Sequence, residues 1–96
     1  MNFENFTIKS QEVIDEAVKF ADKKNQQIVE PEHLLKGVLK VGENVTQFLM
    51  NKMSVNVPMV DAALDKAIEG FPKVRGKVDH YMSNTTKEVF DQAQQL

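Results

Sequence analysis

Ser83-Asn84-Thr85-Thr86-Lys87-Glu88-Val89-Phe90-Asp91-Gln92-Ala93-Gln94-Gln95-Leu96 is a worn copy of Thr7-Ile8-Lys9-Ser10-Gln11-Glu12-Val13-Ile14-Asp15-Glu16-Ala17-Val18-Lys19-Phe20. Across this offset of 76 positions, from Thr7 to Ser83, Glu12 meets Glu88, Val13 meets Val89, Asp15 meets Asp91 and Ala17 meets Ala93. The apolar pairs Ile14/Phe90 and Phe20/Leu96 coincide as well. Units of a repeat bury their apolar faces on one another, so an internal period is read before any single element. The chain reads as one complete unit followed by the first helix of a second. It is a piece of a two-unit design.

Working outward from that repeat, the spacing predicts helices and no strand. Thr7 is placed to cap a first helix reaching about Lys24, with Val13, Ala17, Phe20 and Ala21 on its inner stripe. Asn25-Gln26-Gln27 reads as a polar break. Pro31 suits the first turn of a second helix, and Glu30 and Glu32 bring negative charge to the positive end of its dipole. Leu34, Leu35, Val38 and Leu39 are its expected buried face, with Gly42 as a left-handed end. Asn44 and Gln47 have capping-box spacing for a third helix that turns Val45, Phe48 and Leu49 inward. Asn56 caps a fourth, on which Val60, Ala63, Leu64, Ala67 and Ile68 follow helical rhythm, and Gly70 and Pro72 stop it. Ser83 caps the fifth, repeated helix. The fold class expected is all-α, a helical repeat of about five helices. Residues 1–70 form the first repeat, 71–82 the inter-repeat linker and 83–96 the first helix of an incomplete second repeat.

Composition excludes several functions. Ninety-six residues support one small domain with a modest core. A net charge of −2 argues against a nucleic-acid surface, which needs clustered Lys and Arg. With no cysteine, neither a disulfide framework nor a thiolate zinc site can form. Met1 to Asn5 lacks the basic start and apolar run of a signal peptide, and no stretch approaches the roughly 20 apolar residues of a membrane span. The expectation is a cytoplasmic chain with no membrane or nucleic-acid partner.

Catalytic signals fail on chemistry. Gly70-Phe71-Pro72-Lys73-Val74-Arg75-Gly76-Lys77-Val78 looks like a phosphate loop, but a P-loop wants four residues between its glycines and a hydroxyl after the lysine. Here five residues intervene and Val78 offers no hydroxyl, so a linker is the better reading. The two histidines, His33 and His80, lack the paired ligands of a zinc site. His33 is expected to be a hydrogen-bonded packing residue, since no nucleophile accompanies it. Glu12, Asp15, Glu16 and Lys19 read as a solvated, self-paired helix face. The Asn-x-Thr triplets at Asn5, Asn44 and Asn84 read as helix starts.

Met1-Asn2-Phe3, Phe6-Thr7 and Lys9-Ser10-Gln11-Glu12 resemble the opening of Clp-type AAA+ unfoldases. Ile28-Val29-Glu30-Pro31-Glu32-His33-Leu34-Leu35 is similar to that family's second-helix signature, and Phe71-Pro72-Lys73-Val74 with Gly76 to its inter-repeat linker. Val41-Gly42-Glu43-Asn44-Val45-Thr46 brings the chain nearest the ClpB disaggregase branch. The resemblance implies a Clp N-domain-like, non-catalytic module that recruits unfolded or aggregated polypeptide, or an adaptor protein, for a hexameric motor. ATP and magnesium would then belong to downstream modules, with no cofactor or metal in this segment. The family associates substrate contact with an apolar groove near the repeated helix and with the threonine of the opening motif. By position this nominates Thr7 and Phe90, with Tyr81 as an adjoining wall. Thr7 also has the simpler role of a helix cap worth about 1 kcal/mol. Met50, Met53 and Met59, beside Val55 and Val57, supply adaptable apolar surface or, more simply, close the core. Two alternatives stay open: an adaptor-docking domain of a protease-linked unfoldase, and a free-standing helical regulator that associates through its fifth helix.

Overall fold

The computed structural model describes residues 8–94. Its elements run α1 (Ile8–Lys23), β1 (Ile28–Val29), α2 (Pro31–Val41), α3 (Glu43–Lys52), α4 (Val57–Glu69), β2 (Tyr81–Met82) and α5 (Asn84–Gln94). Among the described residues the fold is helical with one minimal sheet. The cap expected at Thr7 lies outside them. Ile8 in α1 and Asn84 in α5 are both helical and stand at the same offset as their sequences.

The helices end where the backbone chemistry tells them to. Asn25 turns left-handed at φ 58°, and the Gln26 and Asn25 amides donate to the Ala21 and Asp22 carbonyls, which closes α1 in a Schellman pattern. Ser54 does the same for α3 at φ 60°, with the Val55 and Ser54 amides donating to Met50 and Asn51. Gly42 does not, contrary to expectation: its φ is −92° and it serves at once as the end of α2 and the N-cap of α3. The two helices are separated by that one residue, so α3 begins at Glu43, ahead of the capping box expected from Asn44. Asn56 caps α4 as its side chain accepts the Met59 amide. Ser83 caps α5 through the Thr86 amide at 3.1 Å.

The core gathers Ile14, Ala17 and Ala21 of α1, Val29 of β1, Leu34 of α2 and Phe90 of α5. Ile14 and Phe90, equivalent in the two repeats, meet in it. The fifth helix therefore folds back on the first unit. Leu64 and Ile68 are the buried residues of α4, while Ala63 and Ala67 are exposed.

Three expectations need correction. No strand was anticipated, yet β1 and β2 pair in parallel, Ile28 with Tyr81 and Val29 with Met82. The reason is local: the Tyr81 and Ser83 amides donate to the Gln27 and Val29 carbonyls, which otherwise would lack partners in the interior. The segment 71–82 is accordingly held down at several points and is more than a linker, with the Val74 amide donating to the Asn25 carbonyl at 2.6 Å. The inner face of α2 is His33, Leu34 and Gly37, whereas Leu35 and Val38 are exposed. Gly37 explains the shift. A Cβ there would stand 2.5 Å from the Val13 carbonyl oxygen, so α2 approaches α1 on its narrow glycine side. Finally, Phe48 and Leu49 of α3 point to solvent, as do Met53 and Met59. Neither the inward α3 stripe nor core closure by these two methionines holds.

Candidate functional site

A buried polar network anchors the junction of α1, α2 and α4. His33 has no solvent exposure, and its Nδ1 accepts the Glu30 amide at 2.9 Å. That fixes the ring as the Nε2–H tautomer, which donates to Gln26 Oε1 at 2.8 Å. The Gln26 amide nitrogen then donates to the Ile68 carbonyl at the end of α4. Phe20 and Phe71 flank the imidazole at 6.5 and 5.6 Å. Burial lowers the His33 pKa, partly opposed by the charges of Glu30 and Glu32 and assisted by His80. The residue is neutral and fully engaged, as a packing histidine should be. Sequence reasoning took Gln26 for part of a polar break, and the structure makes it a core member.

The second junction serves α5. The Thr86 hydroxyl donates to the Val29 carbonyl at 2.9 Å, so the Ser83 hydroxyl is left to donate to Thr86 Oγ1. Val29 accepts from the Ser83 amide too. Strand and helix are thereby tied together, and Tyr81 and Phe90 are set in place on either side of the tie.

The nominated residues fare differently. Thr7 falls outside the described residues. Tyr81 is 51% exposed on β2 and free to touch a partner. Phe90 is 8% exposed and belongs to the core. The structure thus places Tyr81 and Phe90 on consecutive elements but does not join their rings into one open surface. The larger exposed apolar side chains lie elsewhere: Phe48 at 60%, Met53 at 65% and Met59 at 69%, with Leu49 beside them in sequence. They occupy the end of α3 and the start of α4. Met53 and Met59 match the adaptable-surface reading of the methionines offered by the sequence, whereas Phe48 and Leu49 were expected to face inward.

Two of the clefts among the described residues border α2. One, of about 510 Å³, opens between α1, α2 and α4 over Phe20, Leu39, Val57 and Pro58. Lys36 reaches from its wall to Asp61 at 2.7 Å and Asp65 at 2.8 Å, over the face of Phe20 at 4.8 Å. The paired aspartates raise the Lys36 pKa against the burial that lowers it. The other, of about 390 Å³, lies over Leu35, Leu64 and Phe71. Neither gathers a nucleophile with an oriented base.

The family model for the Clp repeat (R) N-terminal domain matches residues 5–96. The chain belongs to this family. It is 50% identical over 95 residues to chaperone protein ClpB of Bacteroides thetaiotaomicron, covering 99% of this chain and 11% of that protein. Similarity to ClpB of Porphyromonas gingivalis is 44% over 94 residues, or 98% of the chain and 11% of the relative. A probable ATP-dependent Clp protease ATP-binding subunit of Chlamydia pneumoniae is 26% identical over 91 residues, 95% of this chain and 11% of that one. The chain therefore spans about a ninth of the length of the ClpB relatives it matches. The Clp repeat domain so assigned has the helical architecture described above. No described helix is long and apolar enough to cross a membrane.

Proposed function

We propose that this Clp repeat domain is a non-catalytic recruiting module of a ClpB-type chaperone, one that holds unfolded or aggregated polypeptide, or an adaptor, briefly and without sequence rules. The observation that carries this reading is the exposed group Phe48, Leu49, Met53 and Met59. Unbranched methionines and an aromatic ring repack around varied apolar partners, which suits loose capture. Weak binding by one domain gains avidity when several copies sit on one ring, so the hexameric parent is part of the proposal. ATP and magnesium belong to the motor modules of that parent. Tyr81 remains a candidate contact. Phe90 can contribute only if α5 yields, and Thr7 is carried by family position alone.

The test is an amide-shift titration of labelled protein with an unfolded, casein-like polypeptide. Shifts grouped at 48–59, with or without Tyr81, support recruitment. A folded sample with no shifts at saturating polypeptide counts against it. Adaptor docking in a protease-linked unfoldase draws on the Chlamydia relative, whose name is that of a protease subunit. It predicts binding to a folded adaptor and none to unfolded chains.

A further inference from the structure

The cleft over Phe20, Leu39, Val57 and Pro58 is rich in lysine. The protein is acidic, at net −2, but three lysines face two carboxylates around this cleft. Both carboxylates are engaged, Asp61 by Lys36 at 2.7 Å and Glu16 by Lys19 at 3.7 Å. Lys23 and Lys40, in the last turns of α1 and α2, have no ion pair among the described residues and are exposed. Beside the fixed Lys36–Asp61–Asp65 group, the cleft thus offers an apolar floor and two ammonium groups with no ion pair among the described residues. Phe20 and Leu39 are only half-buried there.

We infer that this cleft docks an acidic–apolar peptide segment of a partner protein, an aromatic or aliphatic side chain on the floor with flanking carboxylates on Lys23 and Lys40. Charge complementarity selects that occupant over a basic one, which would meet two unpaired cations. Lysine ammoniums on flexible stems read charge without demanding geometry, so they fit a family of acidic segments more than one sequence. This inference rests on the recruiting reading and adds to it a second, charge-selective surface apart from Phe48, Met53 and Met59.

The experiment titrates the labelled domain with a synthetic peptide carrying Phe-Leu between glutamates, and with lysine-flanked and serine-flanked counterparts. The expected result is shifts at Phe20, Lys23, Leu39 and Lys40 with the glutamate peptide, and affinity about tenfold below it for the serine peptide, since each exposed pair contributes a few-fold. Binding weakens further as salt is raised from about 0.05 to 0.5 M. The double variant Lys23→Glu/Lys40→Glu loses the glutamate peptide and gains the lysine one, while Lys23→Gln/Lys40→Gln shows the intermediate loss. Equal affinity for glutamate and lysine peptides, shifts confined to Phe48, Leu49, Met53 and Met59, or no shifts at all would each overturn the inference. The casein-like polypeptide is titrated in parallel on the same variants. If it still binds at Phe48, Leu49, Met53 and Met59 while the glutamate peptide does not bind the cleft, this inference fails and recruitment stands. If neither binds, both fail.

Discussion

Replacing Gly37 by alanine sets two calculable effects against each other. In an ordinary helix interior the change is favourable by about 1 kcal/mol, because glycine has more backbone freedom to lose. At this site the new Cβ would stand 2.5 Å from the Val13 carbonyl oxygen and 3.3 Å from Val13 Cγ1. The nearest atom is backbone, so no rotamer change relieves it. Contact near the optimum of about 3.5 Å requires α1 and α2 to part by roughly 1 Å, and a gap of that size forfeits up to about half of each dispersion contact across it. Those contacts include Ala17 and Leu34, at the centre of the core. Overpacking of this kind costs about 1–3 kcal/mol. Net of the propensity gain, Gly37→Ala should destabilise by up to about 2 kcal/mol, which lowers Tm by up to roughly 15 °C in a domain of this size. Circular dichroism melts and urea midpoints read this directly. Gly70→Ala is the control, since its Cβ would meet only the Ala67 carbonyl at 3.5 Å and the residue is already helical at φ −81°. It should be neutral or raise stability by up to about 1 kcal/mol. A Gly37→Ala protein stabilised by the roughly 1 kcal/mol of an unhindered helix position would refute the close approach of α1 and α2.

The buried network makes further demands. Gln26→Leu leaves the His33 Nε2–H and the Ile68 carbonyl unpartnered and should cost about 2–6 kcal/mol in a urea titration, at roughly 1–3 kcal/mol per stranded group. Thr86→Val removes the hydroxyl that holds the Val29 carbonyl, for a loss of about 1–2 kcal/mol, with faster hydrogen exchange in α5 as its local signature. The pH dependence follows from His33, whose folded pKa lies below the ordinary 6.5 because burial disfavours the imidazolium. The unfolded state then binds more protons below about 6.5, so this contribution is complete above that pH and is lost as pH falls towards the lowered value. A stability profile flat between pH 5 and 7.5, measured by urea midpoint, would contradict it.

Much of the fold was legible because helix signals are local. Pro31, Asn56, Ser83 and the Val13–Ala17–Ala21 stripe each act over one or two turns, and the structure uses all of them. The misses required facts that exist only after folding. A two-residue strand has no period to detect, and β1 finds its partner 53 positions away, Ile28 against Tyr81. Gln26 is polar, and only the arrival of His33 and Ile68 makes its burial favourable. On α2 the four apolar residues Leu34, Leu35, Val38 and Leu39 define a stripe broader than the contact, and the approach at Gly37 decides which part is used. The candidate site was harder still. Family position named Thr7, Tyr81 and Phe90, but exposure depends on packing, and it separates Tyr81 from Phe90.

Val89 and the group Phe48, Met53 and Met59 are exposed for different reasons, and the repeat register distinguishes them. Val89 is 45% exposed and occupies the position of Val13, the residue whose backbone receives Gly37. Its exposure is explained by the repeat itself, since a helix of the α2 pattern would seat on α5 as α2 seats on α1. Phe48, Met53 and Met59 have no counterpart in the repeated helices, and they still face water. Surface of that kind is retained at a cost in solubility, which argues for use. The two kinds separate by mutation. Val89→Ser should leave binding of a casein-like polypeptide unchanged. Met53→Ser with Met59→Ser should weaken it several-fold, with stability altered by no more than about 0.5 kcal/mol per site because both side chains are exposed. If the Val89 variant alone weakens binding, polypeptide is held on the helix face of the repeat, and the methionine surface has lost its claim.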